Sequence, residues 1–190
     1  MELDIDVIES EIGPLALVAR GAVLCAVEFE DCRERMLSSL ELRYRGATLH
    51  ERRDPCGFSG RLEAYFGGEI DALEEIPVEP AGTPFQRLVW SALRKIAPGT
   101  TSSYGQLAAT IGRPGAARAV GLANGSNPIG LVIPCHRVIG ADGSLTGYAG
   151  GLHRKRWLLA HEGVAIDDDR FRPPQDPTRS ASQPMLPFGG

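Results

Sequence analysis

A cysteine stands next to a histidine in the segment Ile133–Val138, which reads Ile-Pro-Cys-His-Arg-Val. A thiol becomes a useful nucleophile as its thiolate, which needs a nearby base or a positive field. His136 is the candidate base for Cys135, and Arg137 is the candidate positive charge. Neighbouring side chains on extended chain point to opposite faces, so a contact between Cys135 and His136 needs a turn or a bridging water. A small buried cysteine without reactivity is the alternative.

The residues before the cysteine predict how it is positioned. Leu131, Val132 and Ile133 form a short apolar run of the kind found in buried strands. Pro134 holds the residue before it in an extended conformation. We therefore expect Cys135 to lie at the end of a buried strand.

Charge is unevenly divided along the 190-residue chain, whose formal net charge is −4. Between residues 84 and 163, nine lysines and arginines stand against two carboxylates, a local net charge of +7. A basic half on an acidic chain predicts a surface that binds the phosphates of a nucleic acid. A basic surface that is merely solvated is the alternative.

Composition indicates a protein of the cytoplasm. Hydrophobic residues make up 43% of the chain, but no apolar run is long enough to span a bilayer, and no signal peptide opens the sequence. The four cysteines, Cys25, Cys32, Cys56 and Cys135, include no CxxC pair, which favours reduced thiols inside a cell. We interpret Cys25, which lies in an apolar run, as a core residue.

The first 80 residues predict a small α/β domain, a β-meander sheet with helices. Residues 3–29 alternate apolar and polar positions around two turns, which is typical of a meander. Asp31 and Glu34 resemble a capping box that opens a helix to about Tyr44. A second helix is predicted over 58–66, where two glycines end it.

The rest of the chain predicts a mostly α-helical domain over residues 81–166 and a disordered tail over 167–190. Thr83 and Gln86 form a capping box at the start of this domain's first helix. Farther along, an Asp-Gly pair predicts a turn between Val138–Ile139 and Leu145–Thr146.

Two short helices in this second domain form a predicted helix-turn-helix. A capping box at Ser103 and Gln106 opens the first helix, and the second runs from about Pro114 to Asn124. The second helix consists largely of alanine and glycine around Arg118, so its backbone can approach DNA closely while few side chains read bases. This pattern favours a protein that scans for damage over a transcription regulator, and a tightly packed core helix is the alternative.

The segment Pro134-Cys135-His136-Arg137-Val138 resembles the acceptor-site motif of the O6-alkylguanine-DNA alkyltransferases. Further segments resemble the same family in the same order: Ser103–Ala108, Ala117–Asn124, Asn127–Pro128, Gly147–Gly151 and Trp157–Gly163. The resemblance covers residues 83–163 throughout, and residues 1–80 are similar to the family's N-terminal domain in layout. A cysteine hydrolase, another enzyme class, has no recognisable nucleophile signature here.

The resemblance implies DNA repair by direct transfer of an alkyl group. Such a protein binds double-stranded DNA through the minor groove, as a monomer, and flips an O6-alkylated guanine out of the helix. It then moves the alkyl group to Cys135 in a single turnover, and O4-alkylthymine is a further candidate substrate. The alkyltransferase-like proteins, which bind lesions without repairing them, are the alternative, but they carry tryptophan at the position of Cys135.

The resemblance implies no cofactor. Some members of the family hold a structural zinc in the N-terminal domain. Arg20 stands where one of the zinc-binding cysteines is expected, so we predict no metal.

The family's roles fall on residues of three kinds. The catalytic set implied is Cys135 as nucleophile, His136 as its base through a water, Glu162 orienting the imidazole, Tyr104 donating to the departing guanine and Asn127 bracing the turn behind the cysteine. The DNA-binding set is Arg118, which fills the gap left by the flipped base, with Ser103, Ala117, Ala119, Gly121 and Arg137. Tyr148, Ala149 and Gly150 read the base. Structural roles are the alternative: packing for Tyr104, a solvated carboxylate for Glu162, a hydrogen-bonded core histidine for His136.

The end of the chain carries a separate pattern. Gln183, Leu186 and Phe188 have the spacing of the short peptides that bacterial proteins insert into the groove of the replicative sliding clamp. Apolar residues are scarce in solvating tails, so this cluster predicts a peptide that docks on a partner. A tail with accidental hydrophobic residues, or one that docks on its own domain, is the alternative.

Overall fold

The computed structural model describes residues 1–167, 170 and 171. The N-terminal half is built on a sheet of four strands: β1 (Glu2–Ile8), β2 (Leu15–Arg20), β3 (Val23–Phe29) and β4 (Thr48–Glu51). Their order is β3-β2-β1-β4; the first three are antiparallel, which confirms the predicted meander, and β4 runs parallel to β1. Strand β4 is exposed along its whole length, so it lacks the alternation that marked the others.

Two helices pack on this sheet, α1 (Arg33–Arg43) and α2 (Phe58–Phe66). The bounds of α2 are those predicted from the sequence. The capping box expected at Asp31 is wrong, because a 3₁₀ turn over Glu30–Cys32 precedes α1 and no side chain caps it. The carboxylate of Asp31 instead accepts hydrogen bonds from Arg154 in the C-terminal half.

The C-terminal half is mostly helical, as predicted. Its elements are α3 (Pro84–Leu93), β5 (Ser102–Ser103), α4 (Tyr104–Thr110), α5 (Ala117–Gly125), β6 (Val138–Ile139) and α6 (Leu152–His161). Both predicted capping boxes are present, at Thr83 with Gln86 and at Ser103 with Gln106. Strand β6 pairs in parallel with β5.

One hydrophobic core joins the two halves. The inner face of the sheet, with Leu17 and Phe29, packs in the same buried cluster as Trp90 of α3 and Val120 of α5. Backbone bonds cross the same boundary: the Val27 amide donates to Pro128, and the Gly130 amide donates back to Val27. A second cluster lies between the outer face of the sheet and α1, and buried Cys25 belongs to it as expected. The loop between α5 and Cys135 is therefore fixed to β3 by both apolar and polar contacts.

The described part of the predicted disordered tail is ordered. β7 (Ile166–Asp167) and β8 (Arg170–Phe171) form an antiparallel hairpin, and the Phe171 amide donates to the carbonyl of Gly143. The expectation of disorder from 167 onward is thus wrong for residues 167, 170 and 171, since Phe171 packs against a small cluster with Leu145 and Leu159. The residues of the clamp-like peptide, Gln183, Leu186 and Phe188, lie outside the described part. Among the described residues, no helix has the length and apolar character needed to cross a membrane.

Candidate active site

The loop that carries Cys135 is a succession of tight turns. Leu131 has a left-handed backbone with φ of 62°, the Ile133 amide donates to Ile129 at 3.0 Å, and the Cys135 amide donates to Ile133 at 2.7 Å. The buried strand predicted over 131–133 is therefore wrong, although all three residues are buried. A short apolar run reports burial, and burial is shared by strands and by loops that are packed in a core.

Two asparagine side chains hold this loop in shape. Asn127 donates to the Ile133 carbonyl at 2.8 Å and accepts from the Ile129 amide at 3.1 Å, which is the bracing contact expected of it. Asn124, at the end of α5, is 3% exposed and donates to the carbonyl of Cys135 at 3.3 Å. Sequence reasoning gave Asn124 no role, because an asparagine near a helix end usually serves local backbone.

Behind the loop lies a buried carboxylate with four hydrogen-bond donors. Glu162 accepts from His136 Nε2 and Tyr65 Oη, both at 2.9 Å, and from Arg137 Nε and Nη2, both at 2.8 Å. Burial alone would raise the pKa of Glu162, but the hydrogen bonds and charges of His136 and Arg137 outweigh it and hold that pKa far below its usual value. Glu162 is therefore an anion that fixes the imidazole, and the alternative of a solvated carboxylate is excluded by its burial.

The imidazole of His136 is held by one of its two ring nitrogens. It is fully buried, and burial lowers its pKa despite the opposing influence of Glu162. Because the anionic Glu162 is paired with Nε2, the neutral ring carries its proton there, and Nδ1 is left with a free lone pair. Nδ1 has no hydrogen-bond partner within the described residues.

The Cys135 thiol is 7% exposed, and burial raises its pKa. The amide of Asn127 and the charge of Lys155 act in the opposite direction. Lys155 is fully buried and donates from Nζ to the carbonyls of Val138 and Thr146, each at 2.6 Å, and burial lowers its pKa to about 8. The sequence gave no sign of this, since Lys155 stands in a basic run that is typical of a solvated helix face.

The glycine-rich loop lies beside the thiol, and Tyr104 contacts the residue that leads into this loop. Tyr104 is half-buried, its hydroxyl donates to the Thr146 carbonyl at 3.4 Å, and burial raises its pKa. A small cavity of about 20 Å³ touches Cys135, Tyr148, Ala149 and Gly150, so the structure brings the predicted base-reading residues to the thiol. A Cβ on Gly150 would lie 2.9 Å from Phe29 and Tyr148, so this glycine is required for the close packing of the loop.

The predicted DNA-binding residues divide into two groups. Arg118 and Ala119 are exposed on α5, Ala117 and Gly121 are half-buried, and half-buried Ser103 caps α4. Arg137 is different: it is 8% exposed, is paired with Glu162 and donates to the Ile96 carbonyl at 2.6 Å. Its charge is used inside the protein, and its assignment to DNA stays a prediction.

The chain matches known proteins over both of its halves. Residues 84–164 match the family described as "6-O-methylguanine DNA methyltransferase, DNA binding domain", and residues 5–80 match "6-O-methylguanine DNA methyltransferase, ribonuclease-like domain". The chain is 52% identical over 162 residues to a methylated-DNA--protein-cysteine methyltransferase of Salmonella typhimurium, which covers 84% of this chain and 95% of that protein. A protein of the same name from Mycobacterium tuberculosis is 50% identical over 82% of this chain and 89% of its own length.

Solved structures show the same fold. The crystal structure of Mycobacterium tuberculosis OGT in complex with DNA matches with a TM-score of 0.70 and 43% identity, covering 85% of this chain and 92% of that one. The O6-methylguanine-DNA methyltransferase of Pyrococcus kodakaraensis matches with a TM-score of 0.68 and 25% identity, over 85% of this chain and 99% of that one. The family models match both halves, and about half of the aligned positions are identical in the two curated relatives, which establishes the relationship. The chain belongs to the 6-O-methylguanine DNA methyltransferase family.

Proposed function

We propose that this protein repairs double-stranded DNA by moving an alkyl group from O6 of guanine to Cys135, once per molecule. One observation carries the proposal: the buried thiol lies in a loop whose next residue, His136, is held by an anionic carboxylate and keeps a free ring nitrogen. That arrangement follows the logic of a nucleophile, a base and an orienting acid. The proposed activity is therefore the transfer of an alkyl group from DNA to a cysteine of the protein itself.

The reaction is a displacement at the alkyl carbon. His136 Nδ1 takes the thiol proton through a water, the Cys135 sulfur forms a bond to the carbon, and the bond from carbon to guanine O6 breaks with its electrons staying on guanine. Tyr104 donates a proton or a hydrogen bond to the departing guanine, which lowers the energy of the charge that develops there. The thioether is stable, so the site is not regenerated. No step requires a cofactor.

The surface proposed to bind DNA is the exposed side of α4 and α5. Small residues at 117, 119 and 121 let the helix backbone enter the minor groove, and Arg118 occupies the space left by the flipped guanine. Extruding a base costs a few kcal/mol and costs less for a weakened pair, which favours damaged guanine. We infer that the protein binds the duplex as a monomer, as its resemblance to the family implies.

The decisive experiment is mass spectrometry of the intact protein after incubation with a duplex that contains O6-methylguanine. Replacing a thiol hydrogen by methyl adds about 14 Da, and peptide mapping places the addition on Cys135. The exposed Cys56 serves as the internal control. A protein that binds the lesion but gains no mass belongs with the alkyltransferase-like proteins instead.

The spacing of Gln183, Leu186 and Phe188 carries a second, independent proposal, a tether to the sliding clamp. A tether raises the local concentration of a repair protein on replicating DNA. The test is an anisotropy titration of a peptide covering residues 178–190 against the clamp of the source organism. Absence of binding at about 100 μM removes the proposal, since peptides of this kind bind in the micromolar range.

A further inference from the structure

The Arg154 side chain contacts both halves of the protein and has no part in the proposed mechanism. The residue stands in the first turn of α6 and is 8% exposed. Its Nε donates to the Ile12 carbonyl at 2.9 Å, and its Nη1 donates to the two carboxylate oxygens of Asp31 at 3.0 and 2.8 Å. Both acceptors belong to the N-terminal half, one between β1 and β2 and the other in the 3₁₀ turn before α1.

The same guanidinium reaches the proposed base-reading loop, Tyr148–Gly150, which lies beside Cys135. Arg154 Nη1 donates to the Gly150 carbonyl at 3.1 Å, and the guanidinium lies over the Phe29 ring, 3.9 Å from its centroid. The ring also packs closely on Gly150, where a Cβ would lie 2.9 Å from it. The loop is therefore held at Gly150 by a cation and by an aromatic ring that also contact each other.

The location of this cation is unfavourable for α6 itself. The N-terminus of a helix carries a partial positive charge, which disfavours a cation in the first turn. The first turn of α6 contains no acidic residue that would offset the charge of Arg154. The offsetting carboxylate is Asp31, so the guanidinium depends on the N-terminal half for its place.

Stability does not account for the ion pair. The Asp31 side chain is 60% exposed and that of Arg154 is 10% exposed. An ion pair with a well-solvated member contributes little to stability. The guanidinium does supply direction, because its five N–H donors form a rigid planar fork that fixes its acceptors relative to one another. The contacts of Arg154 therefore fix the loop relative to the N-terminal half.

We propose that Arg154 is a positioning residue: anchored on the N-terminal half, it holds the loop Tyr148–Gly150 in place beside the thiol of Cys135. Alkyl transfer from a base then depends on the N-terminal half as well as on the half that carries the thiol. The inference rests on the proposed alkyl transfer and adds to it a residue that orients the flipped base through the loop.

The test compares a reagent that the loop must orient with one that it need not orient. Arg154→Met removes every donor at similar side-chain length, and it leaves no buried charge behind because Asp31 is exposed. Second-order rate constants of Cys135 are measured with free O6-benzylguanine and with iodoacetamide, and peptide mapping separates Cys135 from the exposed Cys56. Benzyl transfer is expected to fall at least about tenfold, since a misplacement of about 1 Å can cost on the order of 100-fold, while alkylation by iodoacetamide stays within about twofold.

Arg43→Met is the matched control. Arg43 also donates to backbone carbonyls, those of Cys25 and Glu79. It also lies over an aromatic ring, that of Tyr44, at 4.6 Å from the centroid. None of these contacts involves the base-reading loop, so the ratio of benzyl transfer to iodoacetamide alkylation should not change in this variant.

Variants at position 31 test the anchor without changing Arg154. Asp31→Asn is expected to lower the same ratio about threefold, in keeping with the modest strength of a partly exposed ion pair, whereas Asp31→Glu keeps the charge and should leave the ratio unchanged. Added to Arg154→Met, Asp31→Asn should have no further effect, because the two residues act through one contact. Thermal melting checks that each variant is folded.

Equal losses with both reagents in Arg154→Met, or no loss of benzyl transfer, overturn the proposal. If Arg154→Met does not fold, an unchanged ratio in Asp31→Asn overturns it. Failure of the proposed function itself looks different, because the unaltered protein then forms no adduct on Cys135 with O6-benzylguanine or with a methylated duplex.

Discussion

The buried cluster around Glu162 and the exposed face of α5 lie in the same half of the protein but are built in opposite ways. Glu162 is 7% exposed and receives bonds from Tyr65, His136 and Arg137, the first of which comes from the other half of the chain. The Arg118 side chain is exposed and makes no hydrogen bond or ion pair with the described residues.

The difference in burial between Glu162 and Arg118 matches two different roles, holding a charge inside the protein and binding DNA. A carboxylate that must stay ionised in a dry environment needs its charge matched by hydrogen bonds and by an opposite charge, because an unmatched buried charge is costly. A side chain that must bind DNA, such as Arg118, is better left without contacts inside the protein, because no internal contact then has to be broken on binding. Substitutions in the first region are expected to change chemistry and stability together, and substitutions in the second to change the handling of DNA alone.

The largest effect is expected from Cys135→Ala, which removes the acceptor. Alkyl transfer from an O6-methylguanine duplex should be abolished, because no other group at this site can become a thiolate. Duplex affinity should stay within about threefold, a change below 1 kcal/mol, since the proposed groove contacts lie on α4 and α5. Adduct mass and fluorescence anisotropy measure the two quantities. Transfer above background in Cys135→Ala, with Cys135→Ser as a second variant, contradicts the assignment.

Next in size is Glu162→Gln, which removes the charge that pairs with Arg137. Breaking a buried pair by removing one partner costs about 3–5 kcal/mol, and urea unfolding at pH 7 measures it. Glu30→Gln, which disturbs the partly exposed pair with Arg33, is the control and should cost at most about 1 kcal/mol.

The same variant has a pH signature. The folded-state pKa of Glu162 is lowered by His136 and Arg137, so its stabilising contribution is complete above the ordinary carboxyl pKa of 4.5 and is lost as pH falls below it. The difference in unfolding free energy between the unaltered protein and Glu162→Gln should therefore shrink on acidification from pH 7 to pH 4. A difference that stays constant over this range shows that the carboxylate is not specially stabilised.

A moderate and selective effect is expected from Arg118→Ala. Repair of a methylated duplex should slow by about 10- to 100-fold, because the residue proposed to hold the flipped state is lost and base extrusion costs a few kcal/mol. Reaction with free O6-benzylguanine, which needs no flipping, should be nearly unchanged, and so should the melting temperature. The exposed Arg113, on the turn before α5, supplies the control Arg113→Ala. Equal losses on duplex and free base assign Arg118 to folding or chemistry.

The smallest effect is expected from Lys155→Met, which removes the positive charge near the thiol at similar side-chain length. The charge of Lys155 lowers the pKa of Cys135, so its loss should shift the pH profile of thiol alkylation by iodoacetamide to higher pH. Arg156→Met, at the next and exposed position of α6, should leave the profile in place. If the pH profile shifts equally in both variants, the effect comes from the net charge of α6 and not from Lys155 in particular.

Some features of the protein depend only on residues that are close in sequence, and these features were predictable for that reason. The helices that begin at Thr83 and Ser103 are marked by residues three positions apart, whose side chains satisfy the first free amides of the same helix. The end of α2 is marked by two glycines for a similar local reason. The sequence alone also identified the thiol, the adjacent imidazole and the family to which both point.

Other features depend on which distant groups meet, and only the tertiary structure decided them. Tyr65 reaches Glu162 across 97 positions of sequence, and Arg137, a basic residue in a basic half, turns inward to the same carboxylate. Lys155 is buried although its neighbours form a charged run, and two backbone carbonyls from other segments accept hydrogen bonds from its ammonium group. The partner of a charge, and the cost of burying it, are properties of the packed chain, and no spacing along the sequence encodes them.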